Sequence, residues 1–413
     1  MGCPFKNLTD ISRRSFFTAA GGIGLAAAAG AGLGFAGLGP AARLLGLGSA
    51  GVEKFYGPHQ AGIITPQQSH SYFAAFDLTT DKRDEVVSLL RDWTDAAAQM
   101  TQGKSVKNDG GDAVGLPPAR LTVTFGFGPG LFTQDGKDRY GLASRRPAAF
   151  GDLPKFNGDQ LIMEKSGGDL SVQACANDPQ VAFHAIRQFA RMAGDRAHIR
   201  WAQTGFLSGG DSGETPRNLM GFKDGTQQPK DMDKFVWVGS EGPDWMRGGS
   251  YQITRRIRIA LEHWDNMDVE AQEQIIGRKK TSGAPLTGRD EFDALDLKAV
   301  DKDGNYIIPE NAHVRLGNAT SNGGMEILRR GYSYNDGVNF TAERWPPWRQ
   351  GIEYDAGLHF ISYQRDPQTF IKIFDRMAKQ DALNQFTTHT GSAIFACPGG
   401  ARAREFIGQR LFS

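Results

Sequence analysis

Leu170–Phe189 reads LSVQACANDPQVAFHAIRQF, and much later Leu358–Met377 reads LHFISYQRDPQTFIKIFDRM. Both run as an apolar strand, then Asp-Pro-Gln, then a helix. Asp178 and Asp366 suit helix N-caps, where a carboxylate accepts from otherwise unpaired N–H groups, and Pro179 and Pro367 suit the first helical position, where a missing N–H costs nothing. The helix faces correspond as well: Phe183, Ile186 and Phe189 stand where Ile371, Phe374 and Met377 stand in the second copy. Asp-Pro alone recurs by chance at helix starts. Agreement of strand, cap and helix face in one register marks a structural repeat.

Outward from each copy the same elements recur. Ser69–Leu78 is aromatic-rich and reads as a first strand. From Asp84 to Met100, Val86, Leu90, Trp93, Ala97 and Met100 fall at helical steps on one face. Leu121–Phe127 alternates as a half-buried strand. Gly126, Gly128 and Gly130 follow; their spacing is wrong for a dinucleotide loop and Pro129 interrupts it, so they read as a turn. The second half opens alike, with a long strand over Gly249–Trp264 and a helix over Asp268–Lys279. The expectation is α+β, with one domain over 58–206 and another over 218–412, joined by the Gly/Ser-rich link Leu207–Thr215.

The totals agree. A chain of 413 residues exceeds what one core usually supports. A net charge of +1 gives no electrostatic reason to expect nucleic acid or an anionic membrane as partner. Three cysteines cannot build a disulfide framework and show no Cys-x-x-Cys spacing; Cys175 and Cys397 lie in apolar strand-like runs and read as buried thiols. At the start, Ser12–Phe17 reads Ser-Arg-Arg-Ser-Phe-Phe, followed by a weakly apolar Gly/Ala-rich stretch. That is the twin-arginine export pattern, with cleavage expected near Ala50 and residues 1–50 as signal peptide.

The chemistry concentrates in three separate segments. Asn218–Pro229 reads NLMGFKDGTQQP and holds one acid, Asp224, between Gly221 and Gly225. Asp and Gly both favour tight turns, so a plain turn is the alternative reading. Among eight histidines, His313 stands out, after the extended run Ile307-Ile308-Pro309 and before Val314-Arg315-Leu316-Gly317-Asn318. A neutral imidazole is a suitable ligand for haem iron. His184, His263, His359 and His389 lack such a context. Arg329 and Arg330 follow Met325–Leu328. Neighbours on an extended chain point oppositely, so only one of the two arginines faces the site.

In this order, Gly-x-x-Asp-Gly, a distant histidine and then an arginine, the sequence resembles the dye-decolourising (DyP-type) haem peroxidases, and similarity extends through His59–Ile63, Ser166–Leu170 and Gly391–Pro398. The resemblance implies two ferredoxin-like domains in tandem, with haem b bound mainly to the second. It implies that His313 is the axial iron ligand, that Asp224 serves as acid and base toward hydrogen peroxide, and that Arg329 stabilises charge beside it. It further implies haem contacts from Gly225, Thr226, Gln227, Asn318, Ala319 and Thr320. Bulky phenols or dyes are the implied electron donors; Trp345, Trp348, Tyr332 and Tyr334 are candidate relays as well as packing residues. Many relatives carry an acid late in the helix that here includes Asp381–Phe386, yet Gln385 occupies the expected place. Asp381 or a backbone carbonyl then remains to hold the second nitrogen of the ligand. The resemblance is to the exported branch that includes deferrochelatase/peroxidases of iron uptake, which adds release of iron from haem as an alternative activity, a periplasmic or extracellular location, and a homo-oligomer.

Overall fold

The computed structural model describes residues 51–208, 214–342 and 350–413, except for the side chains at 340–342 and 350–352. The expected signal peptide, Trp345, Trp348 and the middle of the Gly/Ser-rich link lie outside the described residues. All described residues belong to one compact unit.

The first half runs β1 (His70–Leu78), helix Arg83–Met100, β2 (Thr122–Phe127), β3 (Leu170–Ala176), helix Pro179–Ala193 and β4 (Ala197–Phe206). The second runs β5 (Ser250–Ile259), helix Val269–Ile276, β6 (Leu328–Arg329), β7 (Tyr332–Ala342), β8 (Gln350–Gln364), helix Pro367–Gln380 and β9 (Thr387–Cys397). Pairing is antiparallel throughout, in the order β4-β1-β3-β2 in the first half and β9-β5-β8-β7 in the second. Each half is therefore ferredoxin-like, as the family resemblance implies. The halves do not keep separate sheets. Phe127 pairs with Ala396 and Phe206 with Ser333, so the edge strands of each half join those of the other and the sheet closes. Closure removes four open edges that would otherwise invite association.

The caps form as the sequence dictates. Asp178 accepts from the N–H groups of Gln180 and Val181, and Asp366 from that of Gln368. The buried faces sit one residue round from expectation. In the first helix Ala182, Ala185, Ile186 and Phe189 are buried and in the second Phe370 and Ile373, whereas Phe183 is exposed and stacks on Tyr72 at 5.2 Å. Under the first sheet Trp93 fills the core, with Phe76, Phe125 and Phe189 at 5.0–6.0 Å and its indole N–H donating to the Phe189 carbonyl. Burying such a ring fully contributes about 2–3 kcal/mol.

Two other expectations change. β2 is buried on both faces rather than one. Its apolar residues Val123, Phe125 and Phe127 join the core, while Thr124 donates to the Ala61 carbonyl and Thr122 accepts from Gln68, so the segment after His59 covers the polar face. The long strand stops at Ile259, because the Ala260 N–H turns to the Phe386 carbonyl and a short helix, Leu261–Trp264, begins. Cys175 and Cys397 are buried free thiols. No helix among the described residues is long and apolar enough to cross a membrane.

The second half also buries charge. Arg255 pairs with Asp159, both fully buried, and Arg256 reaches Asp336 at 2.8 Å and Asp355 at 2.7 Å. His389 and His359 lie beside these arginines. Burial, then the neighbouring guanidinium, pushes each imidazole down to about 3 from an ordinary 6.5. Between those values the unfolded chain binds protons that the folded chain refuses, so stability is lost as pH falls from 6.5 toward 3. The thermal midpoint is expected to drop across that interval, with a shallower slope in His389→Gln than in the wild type; equal slopes would contradict this assignment.

Candidate active site

The loop carrying Asp224 is built on two left-handed glycines. Gly221 has φ +84° and Gly225 φ +118°, conformations that side chains rarely adopt. A Cβ at Gly221 would also come within 2.7 Å of Lys280. Asn218 pins the turn: its side-chain oxygen accepts from the N–H groups of Met220 and Phe222, while its backbone pairs with Gly221 and Phe222. Arg217 donates to the carbonyls of Gly221, Lys280 and Thr281. The Asp224 N–H donates to Pro216, completing a backbone that leaves the carboxylate half-exposed.

Behind the loop lies Glu291, which no local sequence pattern singles out. It pairs with Lys223 at 2.7 Å and accepts from the hydroxyls of Thr226 and Thr215. Burial raises the Glu291 proton affinity, but Lys223 and the two threonines outweigh it and hold the carboxyl below its ordinary range. The residues on either side of Asp224-Gly225 are thus anchored to one part-buried anion. Thr226, expected to line the porphyrin, spends its hydroxyl here.

Arg329 supplies the cation. Its Nη1 donates to Asp224 Oδ1 at 2.9 Å and its Nη2 to the Gln227 carbonyl at 3.2 Å, and both charged side chains are 31% exposed, so neither is locked away. Among the described residues no donor reaches Asp224 Oδ2. Arg330 points the other way, its two terminal nitrogens donating to the Thr65 carbonyl and, at 2.6 Å, to the Gln68 side chain. Of the two neighbours, Arg329 is the one that reaches Asp224, as alternation along a strand requires of adjacent side chains. Asp224, Gly225, Gln228, Arg329 and Gly331 line one small cleft with Gln67 and Ser333.

His313 does not continue an extended chain, as expected; it opens a short helix, His313–Gly317. The change of direction follows from Arg315, whose guanidinium caps the carbonyls of Ile308 and Pro309, and from Asn311, whose carbonyl receives the Ala382 N–H. That last contact brings in Asp381. The helix Pro367–Gln380 ends there, Asp381 Oδ1 accepts from the Leu383 N–H, and Oδ2 receives His313 Nδ1–H at 2.7 Å. Asp381, rather than Gln385 or a carbonyl, holds the ring. Burial opposes charge on His313, yet the Asp381 carboxylate outweighs it and raises the imidazole's proton affinity; Arg329 and Asp224 act on it in opposite directions.

Nε2 of His313 has no hydrogen-bond partner among the described residues, and the side chain is 35% exposed although Asp381 is only 4% exposed. An imidazole with one nitrogen fixed by a carboxylate and the other free fits an axial iron ligand. The three segments therefore converge: Asp224 and Arg329 touch, and both lie near enough to His313 to influence its charge. The Asn318 side chain donates to that of Gln227 at 3.2 Å, tying the loop to the segment after His313. Beyond it Ala319 precedes a one-turn helix, Thr320–Asn322, whose Thr320 N–H donates to the Asn318 side chain. The other histidines are placed elsewhere, His184 against Asp109 and His359 against Thr254. Tyr332 and Tyr334 are fully buried.

Comparison with known proteins follows the same division. The N-terminal model of Dyp-type peroxidases matches residues 60–207 and the C-terminal model residues 215–402. A dye-decolorizing peroxidase of Thermobifida fusca (strain YX) is 38% identical over 437 aligned positions, spanning 97% of both chains. A deferrochelatase of Escherichia coli (strain K12) is 35% identical over 384 positions, 87% of each. Among solved structures, DtpA from Streptomyces lividans, in an oxyferrous/water mixed complex, superimposes with a TM-score of 0.82 at 42% identity, covering 90% of this chain and 100% of that one. A DyP-type peroxidase from Cellulomonas bogoriensis gives 0.80 at 39%, covering 88% and 99%.

Proposed function

The chain belongs to the Dyp-type peroxidase family and is a haem peroxidase, and on that premise we propose how its own residues divide the reaction. The substrates are hydrogen peroxide and an organic electron donor. The observation that carries the proposal is the Asp224–Arg329 pair set near an imidazole whose Nε2 is free.

Haem b, when bound, supplies an iron that holds peroxide and stores its oxidising equivalents. Asp224 does the proton work. Its Oδ2, free of any donor among the described residues, accepts the proton of one peroxide oxygen and delivers it to the other, so that the O–O bond breaks with water leaving. Arg329 holds Oδ1 still and places positive charge where negative charge develops. His313 would hold the iron of bound haem, since its Nε2 has no other partner among the described residues. Asp381 keeps the proton of Nδ1 in place, which fixes the ring and makes the imidazole a stronger electron donor. Asp381→Asn is expected to weaken haem retention about 10- to 100-fold, the range found when such supporting partners are removed. The rate of haem loss to an excess of a haem-scavenging protein measures it, and an unchanged rate removes Asp381 from this role.

Gly225, Gln227 and Asn318 are proposed to shape the walls of the haem pocket, with Thr226, Ala319 and Thr320 supporting them. Bulky phenols and dyes are the proposed donors. The test is oxidation of a phenolic donor that requires hydrogen peroxide and haem together; turnover by the haem-free chain contradicts it.

A second activity, release of iron from haem, is proposed on the strength of the deferrochelatase relatives. Fluorescence of free porphyrin appearing without peroxide supports it, and intact haem after prolonged incubation refutes it. We also propose twin-arginine export to the periplasm or medium, on the Ser12–Phe17 motif, and a homo-oligomer; components of an iron-uptake system are proposed partners. Cell fractionation of a chain with Arg13 and Arg14 changed to Lys, and light scattering of the purified protein, test the first two.

A further inference from the structure

β6 consists of only Leu328 and Arg329, and one of its edges is open to the cleft. Leu328 lies opposite Tyr363 and Arg329 opposite Ser362 on β8. The backbone bond to β8 is made by the Arg330 N–H, which donates to the Ile361 carbonyl at 2.7 Å. Backbone groups of adjacent strand residues point to opposite sides. The N–H and C=O of Arg329 therefore face away from β8, where no tenth strand follows among the described residues.

A side chain takes the place of that strand. Gln228 Oε1 accepts from the Arg329 N–H at 2.9 Å, and Gln228 Nε2 donates to the Arg329 carbonyl at 2.8 Å. Both distances are ordinary for full-strength bonds. One residue earlier, the Gln227 carbonyl receives the Arg329 guanidinium. Four residues earlier in the same loop stands Asp224, the guanidinium's other partner. The loop thus grips Arg329 at both ends, by the backbone through Gln228 and by the charge through Asp224 and Gln227.

We infer that Gln228 is a positioning residue, whose paired amide bonds fix the backbone of Arg329 so that its guanidinium stays on Asp224. The inference rests on the role proposed above for Arg329 and adds the element that holds it. A primary amide suits the task because it donates and accepts in one plane, as a strand's peptide does. A hydrocarbon of the same length leaves both Arg329 groups unpaired in a half-buried cleft, at the cost of an unsatisfied donor and acceptor. The arginine then samples positions off the carboxylate, and misplacement of about 1 Å in a reacting group costs on the order of 100-fold.

Gln228→Met keeps the volume and removes both bonds; Gln228→Asn keeps the amide on a shorter stem. Gln228→Met is expected to slow the reaction with hydrogen peroxide roughly 10- to 100-fold, with Gln228→Asn recovering part of the loss. Fluoride, an anion bound at the peroxide position of the resting ferric protein, is expected to bind more weakly to Gln228→Met, giving a readout independent of turnover. In an Arg329→Leu background the same Gln228→Met change is expected to add almost nothing, since residues acting as one unit are not additive. A wild-type peroxide rate and fluoride affinity in Gln228→Met overturn the inference, as does an undiminished effect in the Arg329→Leu background. If Arg329→Leu itself leaves the peroxide rate unchanged, the proposed role of Arg329 fails instead, and the two failures are told apart.

Discussion

Asp224→Asn is expected to slow the reaction with hydrogen peroxide by about 10²- to 10⁴-fold, the usual contribution of a positioned acid–base group, while the resting haem spectrum stays nearly unchanged. The separation of the two effects is the informative part. Asn keeps the shape of Asp and can still accept from Arg329 Nη1, so the 2.9 Å contact has a substitute and the loop, held by Asn218, Arg217 and Glu291, has no reason to move. What disappears is the ability of Oδ2 to take a proton and return it. An amide does neither at neutral pH. Mixing the variant with peroxide and following the Soret region on a stopped-flow instrument measures the step directly. A rate within a factor of about three of the wild type, far inside the span that acid–base catalysis provides, takes Asp224 out of the mechanism.

His313→Ala is expected to remove the haem absorption band from the purified protein, because an imidazole near Asp224 and Arg329 whose Nε2 has no partner among the described residues is lost. The fold has little reason to fail with it. The side chain is 35% exposed, it starts a helix of one turn, and its single hydrogen bond is to Asp381. Asp381 does lose its partner, although its Oδ1 keeps the Leu383 N–H. A far-ultraviolet dichroism spectrum like that of the wild type, beside an absent Soret band, is the expected pair of results. Full haem content in a folded His313→Ala protein contradicts the assignment. Recovery of the band on adding imidazole supports it further.

Much of the fold is legible because it is local and repeated. Asp-Pro-Gln at the head of both helices is read by simple capping chemistry, and the apolar steps from Val86 to Met100 give the first helix almost to its end. Closure of the sheet is not legible. It depends on thin seams, Phe127 with Ala396 and Phe206 with Ser333, between residues far apart in sequence, and no local pattern marks them. The two-sided burial of β2 escapes for a related reason: threonines read as solvent-facing until a remote segment, Gln60–Gln68, is laid over them.

The site divides the same way. Gly221, Asp224 and Gly225 stand out because left-handed backbone calls for glycine, and Asp224 with Arg329 meets across 105 residues in the order the motif implies. The choice of Arg329 over Arg330 needs the strand's orientation, which a sequence of two residues cannot supply. Asp381 stands among the candidates in the sequence, but its choice over a backbone carbonyl needs the helix Pro367–Gln380 to stop just before it, which makes it a cap whose second carboxylate oxygen reaches His313. Gln228 and Glu291 carry no sequence signal; each acts by filling the bonding needs of a backbone or loop that is visible only when folded.

The most direct test of the account is the visible spectrum of the purified, haem-loaded protein before and after one equivalent of hydrogen peroxide, and again after a phenolic donor. The account predicts a Soret band that shifts on adding peroxide and returns when the donor is supplied. A band that only bleaches, or no band after haem reconstitution, contradicts it.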